Sequence, residues 1–247
     1  MPELDLCCAS PARIKDFLLG GGNAYAIDKA WCANATRILP SLRRTYRDEH
    51  RFLRRAIRLV AAKRGISRFL VVDAGLPDSD ATHEYIAQHE TSKAVFTSDD
   101  RHVLAYLELA ASNHPAIDSV CGTFSVPGTI LLTDPTQQLL GAGTPVCLVL
   151  CGVLETISQN DDAHTALRCY TERLPAGSLV IVTHPTVDGL NPAHPADREM
   201  ATNMRQVCQA YGAGHQPERH LRTAEELRDI LSGLTLIPPG IAFTSNW

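Results

Sequence analysis

Five short apolar runs, most of them followed by a stretch of helical period, constrain this chain more than any other feature. They are SRFLVVDAG, KAVFTSDD, AIDSVCGTF, TPVCLVLCGVL and SLVIVTHPT. Runs that are apolar throughout, rather than alternating, read as strands buried on both faces, which is the signature of a parallel sheet. The segments ATHEYIAQH, RHVLAYLELAAS, DDAHTALRCYTERLPAG, PADREMATNMRQVCQAYGAG and TAEELRDILSG read as helices. Strands alternating with helices give right-handed crossovers and helices on the sheet faces. The predicted class is α/β, a doubly wound and mostly parallel sheet. The terminal LTLIPPGIAFTSNW is given edge-strand character. Such sheets hold ligands beyond the carboxyl ends of their strands. Attention therefore falls on Asp73–Asp80, Ser98–Arg101, Thr123–Pro127, Glu155–Asp162 and His184–Asp188.

The N-terminal part differs. After a loose start over residues 1–12, the triple glycine Gly20–Gly22 splits a short helix from a longer one, and Pro40-Ser41 opens LRRTYRDEHRFLRRAIRLVAAKRG, which stops at Gly65. We divide the chain into a helical cap over 1–65 and an α/β part over 66–247 that together form one compact unit. The long helix carries seven arginines between Arg43 and Arg58. They suit an anionic group or an acidic partner if they are not simply a solvated face.

Composition narrows the function classes. The 247 residues are 45% hydrophobic and 20% charged, with a net charge of −4, which argues against general nucleic-acid binding. No apolar run reaches the ~20 residues of a membrane helix, and MPELDLCCAS has no signal-peptide pattern, so a cytoplasmic protein is expected. The eight cysteines include no C-x-x-C pair, and no metal site is predicted.

The stretch Phe69–Ile86, FLVVDAGLPDSDATHEYI, has the outline of a strand, a glycine turn and a helix start. Turns of this kind that hold a nucleotide-like cofactor carry a second glycine two residues before Gly75; here that residue is Asp73, with Asp78, Asp80 and Glu84 close behind. Asp78 and Asp80 each have a capping role as the plain alternative, because acids are favoured at helix starts. Asp73 lies too early to cap.

In order along the chain, Asp16-Phe17-Leu18-Leu19-Gly20-Gly21, Asp28, Phe52-Leu53-Arg54-Arg55-Ala56, Gly75-Leu76-Pro77, His83-Glu84, Thr183-His184, Asp188-Gly189, Arg222-Thr223 and Trp247 resemble the motifs of an actinobacterial S-adenosylmethionine (SAM) methyltransferase family. The resemblance implies the class I methyltransferase sheet, a Rossmann-like fold. It also exposes departures. The family's D-x-G-x-G becomes Val71-Val72-Asp73-Ala74-Gly75. The ribose-binding acid falls on Ser98, with Asp99 or Asp100 as substitutes one or two residues on. The adenine-reading A-D-L becomes Gly122-Thr123-Phe124. Asp73 brings a charge toward the methionine carboxylate of SAM, a repulsion of about 1 kcal/mol in water and more in a cleft, and each lost charged hydrogen bond costs roughly 1.5–3 kcal/mol. The reading is that SAM binding is damaged, so that the expected cofactor is none.

Three functions are carried forward. The first is a SAM-independent enzyme of bacterial secondary metabolism that closes a ring by eliminating a group such as sulfate. The second is a SAM-dependent methyltransferase acting on a small molecule, and the third a non-catalytic pseudo-methyltransferase subunit. One group resembling this chain closes aziridines in azinomycin- and vazabitide-type pathways. That resemblance implies a small-molecule substrate tethered to an acidic amino-group carrier protein and a small partner subunit in a heterodimer, with no nucleic acid or membrane involved. Asp73, Glu155 and His184 are the catalytic candidates, since acids and a histidine at strand ends supply a base. Asp78, His83, Arg54 and Asp16 are the substrate-binding candidates.

Overall fold

The structure is a computed structural model that describes residues 8–77, 80–89, 91–212 and 218–247. Five strands form one all-parallel sheet in the order β3-β2-β1-β4-β5: β1 (Arg68–Val72), β2 (Lys93–Ser98), β3 (Ile117–Cys121), β4 (Cys147–Cys151) and β5 (Leu179–Thr183). The predicted strands all form. The C-terminal segment does not: no residue after Gly233 is in a strand. Pro238 and Pro239 stand in its middle and have no N–H to donate to a ladder.

Both faces of the sheet are covered, as continuous apolar strands require. Along β1, Phe69 and Val71 face one cluster, and Leu70 and Val72 the other. The first cluster packs α3 (Leu42–Arg64), α4 (Ala81–Ala87) and α5 (Arg101–Asn113) through Leu53, Ile57, Ile86 and Leu107. The second receives α6 (Gly128–Leu131), α7 (Asp134–Gly141), α8 (Asn160–Thr171) and α10 (Ala224–Ile230) through Ile130, Leu139, Leu167 and Ile230.

The cap is a third cluster. Helices α1 (Pro11–Leu19) and α2 (Ala26–Ile38) pack with α9 (Pro195–Gly212), through Ile14, Leu18, Cys32, Ala35, Val207 and Tyr211. Residue 65 is thus a change of local structure and not of packing. Helix α9 joins the cap from the far end of the chain, and α3 spans both layers, with Leu42 in the cap and Ile57 on the sheet.

Local chemistry sets these boundaries. Ser10 caps α1 with Pro11 behind it, and Gly20 ends the helix at a φ of 104°; Gly65 ends α3 at 66°. Asp80 and Asp100 cap α4 and α5, each carboxylate accepting from two backbone N–H groups. Arg13 and Asp28 fix α1 on α2. Arg13 Nε and Nη2 reach the Asp28 carboxylate at 2.6 and 3.1 Å, and that carboxylate also accepts from the backbone N–H groups of Ser10 and Tyr25. Both side chains are almost fully buried.

Breaking that pair leaves a buried guanidinium without its anion. Asp28→Ala is expected to cost about 3–5 kcal/mol in urea denaturation, while an Arg13→Met/Asp28→Leu double variant recovers most of the loss.

Candidate functional site

Beyond the carboxyl ends of all five strands lies a cleft of about 840 Å³, roofed by α1, α3 and α9. It includes the place where β1 meets β4, from which connections leave toward β2 on one side and toward β5 on the other. This is the topological switch point, where no crossover covers the strand ends.

Asp73 follows β1 at that point. It has a φ of 50° and is the one non-glycine in the left-handed region among the described residues. Aspartate tolerates this conformation better than most residues. Its N–H donates to Thr97 Oγ1, and its carboxylate accepts from the Phe124 N–H at 3.3 and 3.4 Å. Phe124 is stacked in turn on the buried ring of Tyr170, whose hydroxyl has no partner among the described residues. Burial pushes the Asp73 carboxyl up to about 7, and the nearby Asp99 charge adds to the rise, against the pull of the Phe124 N–H. Asp73 thus exchanges a proton near neutrality, the property a general base needs.

Ser98, Asp99 and Asp100, at the end of β2, all line the cleft. Ser98 is the last strand residue and is buried, its hydroxyl accepting from the Asp100 N–H. Asp100 is committed to capping α5 and accepts from Ser10 Oγ of the cap. Asp99, between them, is exposed and lines the cleft. Gly75 and Thr123 line it too, and a Cβ on Gly75 would meet nothing within 4 Å.

Glu155 and His184 also line the cleft. Glu155 is not the solvated loop acid that its sequence position also allows: it is 4% exposed and ion-paired with Arg219, whose guanidinium lies 3.9 Å over the Tyr211 ring. His184 has two buried ring nitrogens with no hydrogen-bond partner among the described residues. Burial, with Arg222 nearby, lowers it to about 3, so the imidazole is neutral.

The structure does not bring the other candidates into this cleft. Asp16 is buried beneath the glycine turn, accepting from the backbone and side-chain amides of Asn23. A Cβ on Gly21 would come within 2.2 Å of the Asp16 carboxylate, so these two residues form one structural unit. Arg54 pairs with Glu84 at 2.9 Å on the α3–α4 surface. His83 meets Phe96 edge-on, and Val71 is core. Asp78 lies outside the described residues. Of the arginine face, Arg43 donates to the Phe17 and Leu18 carbonyls, Arg55 to those of Thr244 and Trp247, and Arg44 and Arg51 pair with Asp48.

A cluster that sequence reasoning misses sits beside Asp73. Cys151 and Thr183 end β4 and β5 in register, and Lys15 of α1 and Glu49 of α3 reach down to them. Lys15 Nζ donates to Cys151 Sγ at 3.1 Å and lies 3.7 Å from Glu49, while Thr183 Oγ1 donates to Glu49 at 2.7 Å. No spacing joins these residues; the nearest signal is that two of them terminate strands.

Comparison with known proteins agrees with this architecture. The description S-adenosyl methyltransferase belongs to a family model that matches residues 1–247. A DUF574 family protein from Streptomyces avermitilis superposes with a TM-score of 0.87 and 26% identity, over 99% of this chain and 90% of that one. A protein from Thermobifida fusca, described as a candidate methyltransferase, gives 0.83 and 25%, over 100% of this chain and 88% of that one. No curated protein matches the sequence. With the sheet, the strand-end cleft and a match along the whole chain in agreement, this protein belongs to the S-adenosyl methyltransferase family.

Proposed function

We propose that the chain is a small-molecule enzyme that works in the strand-end cleft without SAM, with Asp73 as its proton acceptor. One observation carries this reading. The Asp73 carboxylate takes the Phe124 N–H and stands where the family pattern has a glycine. SAM in the family's pose needs that place open to its methionine end and the Gly122–Phe124 segment free to read adenine. Asp73 interferes with both, so the residues present do not fit that pose.

The chemistry that suits them is an intramolecular displacement. A substrate amine attacks a neighbouring carbon, a C–N bond forms, and the C–O bond to a leaving group such as sulfate breaks. The amine proton passes to Asp73, which is ionised above its value of about 7. Holding the two reacting centres in a near-attack arrangement supplies most of the acceleration. In this reading Glu155 and Arg219 shape the wall of the cleft, and neutral His184 packs at its edge with both ring nitrogens buried. The arginine face of α3 is the surface for an acidic carrier protein, although the internal pairs described above occupy several of its members.

A second reading, a SAM-dependent methyltransferase acting on a small molecule, is favoured by the full-length family match and by Asp99, which stands at the strand end where ribose hydroxyls are held in this fold.

Calorimetric titration separates the two. We expect SAM to bind the wild type more weakly than about 1 mM, and Asp73→Gly to tighten it at least about tenfold. Micromolar SAM binding by the wild type would sink the first reading. Asp73 also predicts a pH dependence. Its folded value of about 7 exceeds the ~3.9 of an unfolded aspartate. The native state therefore holds the extra proton between these values, and this contribution to stability is lost as pH rises through about 7. Relative to the wild type, Asp73→Asn should gain about 2–4 kcal/mol between about pH 4 and about pH 8, read by urea denaturation at each pH. Turnover of a sulfated amine should rise through an apparent pKa near 7, and that rise should vanish in Asp73→Asn.

A further inference from the structure

Lys15 is a cation brought to the floor of the cleft from the cap. Its side chain is 16% exposed, and it lines the cavity. An ammonium has three donors. One goes to the Cys151 sulfur, a weak acceptor. The Glu49 carboxylate, at 3.7 Å, is beyond hydrogen-bond distance and already accepts a short bond from Thr183. Burial pushes the Cys151 thiol up to about 12, so it stays protonated and does not balance the lysine charge. Burial works against the Lys15 ammonium as well, while the nearby Glu49 and Asp80 carboxylates favour it. The result is a mostly enclosed ammonium at the cleft with donor capacity to spare. Glu49 balances this charge at ion-pair distance, but the sulfur bond leaves two of the three ammonium donors for a group in the cleft.

The register places this cation close to Asp73. Val72 is aligned with Leu150, so Asp73 and Cys151 are the next residues on neighbouring strands, which run about 4.8 Å apart. A base and a buried cation thus stand side by side at the switch point, within the span of one small molecule.

We propose that Lys15 is the oxyanion anchor of the cleft, binding a sulfate or carboxylate group on a substrate whose amine or hydroxyl faces Asp73. Glu49, held by Thr183, is the carboxylate with which such an oxyanion competes for the ammonium. The substrate class that follows is a small molecule with an ionisable donor and an oxyanion a few bonds apart. The proposal rests on reading the cleft as the active site. It deepens that reading by naming the second charge that the substrate must carry.

The test uses the whole chain and needs neither SAM nor turnover. Sodium sulfate and sodium acetate are titrated calorimetrically at ionic strength fixed with sodium chloride; the two arms distinguish a tetrahedral from a planar oxyanion. At least one is expected to bind saturably. Lys15→Met should weaken it by about tenfold or more, Lys15→Arg should stay within about threefold, and Glu49→Gln should bind at least as tightly as the wild type because a competing carboxylate is gone. The proposal is overturned if neither anion saturates in the wild type, or if Lys15→Met binds like the wild type. It is equally overturned if Glu49→Gln weakens binding as much as Lys15→Met, which would mark the cluster as a tether between cap and sheet. Anion binding that Lys15→Met abolishes stands even if SAM proves to bind, so the two readings fail separately.

Discussion

The pairing of β1 with β4 is the constraint on which the rest of this molecule depends. Phe69 to Val72 lie against Cys147 to Leu150 in a parallel ladder, and every side chain of both segments is buried. The chain leaves β1 toward β2 and β3 and returns through β4 toward β5, so the ends of these two strands cannot be covered by their own crossovers. A cavity at that point is a topological necessity, and the residues at which the two strands end become its floor. In this chain those residues are Asp73 and Cys151. The chemistry available to the protein is decided by two positions whose placement is decided by the sheet.

The fold was legible in the sequence because it rests on local signals. Continuous apolar runs announced buried parallel strands, and Gly20 and Gly65 marked helix ends that the structure places within a residue. Two features were not legible. Helices α6 and α7 are short and carry little periodicity of their own; they are held by Ile130 and Leu139, which are buried in the second cluster against the sheet. The C-terminal LTLIPPGIAF has the composition of a strand, but its proline pair and its packing through Leu234 and Ile241 against the second cluster hold it in an irregular path. In both places tertiary packing overrode what the local pattern announced.

The candidate site was legible only in part, for a related reason. Asp73, Glu155 and His184 were found because strand ends can be read from a sequence. Asp80 resembles Asp73 in type and setting, yet its carboxylate is spent on the Thr82 and His83 N–H groups. A difference of seven residues separates a helix cap from a half-buried acid of raised pKa. The motif residues Asp16 and Arg54 stabilise the cap and the α3–α4 contact, which shows how a recurring motif can record folding rather than chemistry. Lys15 and Glu49 had no signal at all. Each is a charged residue on an amphipathic helix, and only the docking of the cap on the sheet turns them toward the cleft.

The cap's construction also bears on how the protein comes into being. Helices α1 and α2 present their apolar faces to α9, which begins at Pro195, far beyond the end of α2 at Ile38. On a ribosome adding about 5–20 residues per second, those faces wait roughly ten to thirty seconds before their partner emerges. Throughout that interval the side of this cluster that Val207 and Tyr211 complete lacks its cover. The cleft floor can assemble before its roof, so the last event in maturation is the closing of the roof over residues already in position. Chaperone demand in this protein should therefore be concentrated at its N-terminus, although the contact that relieves it is written near the other end.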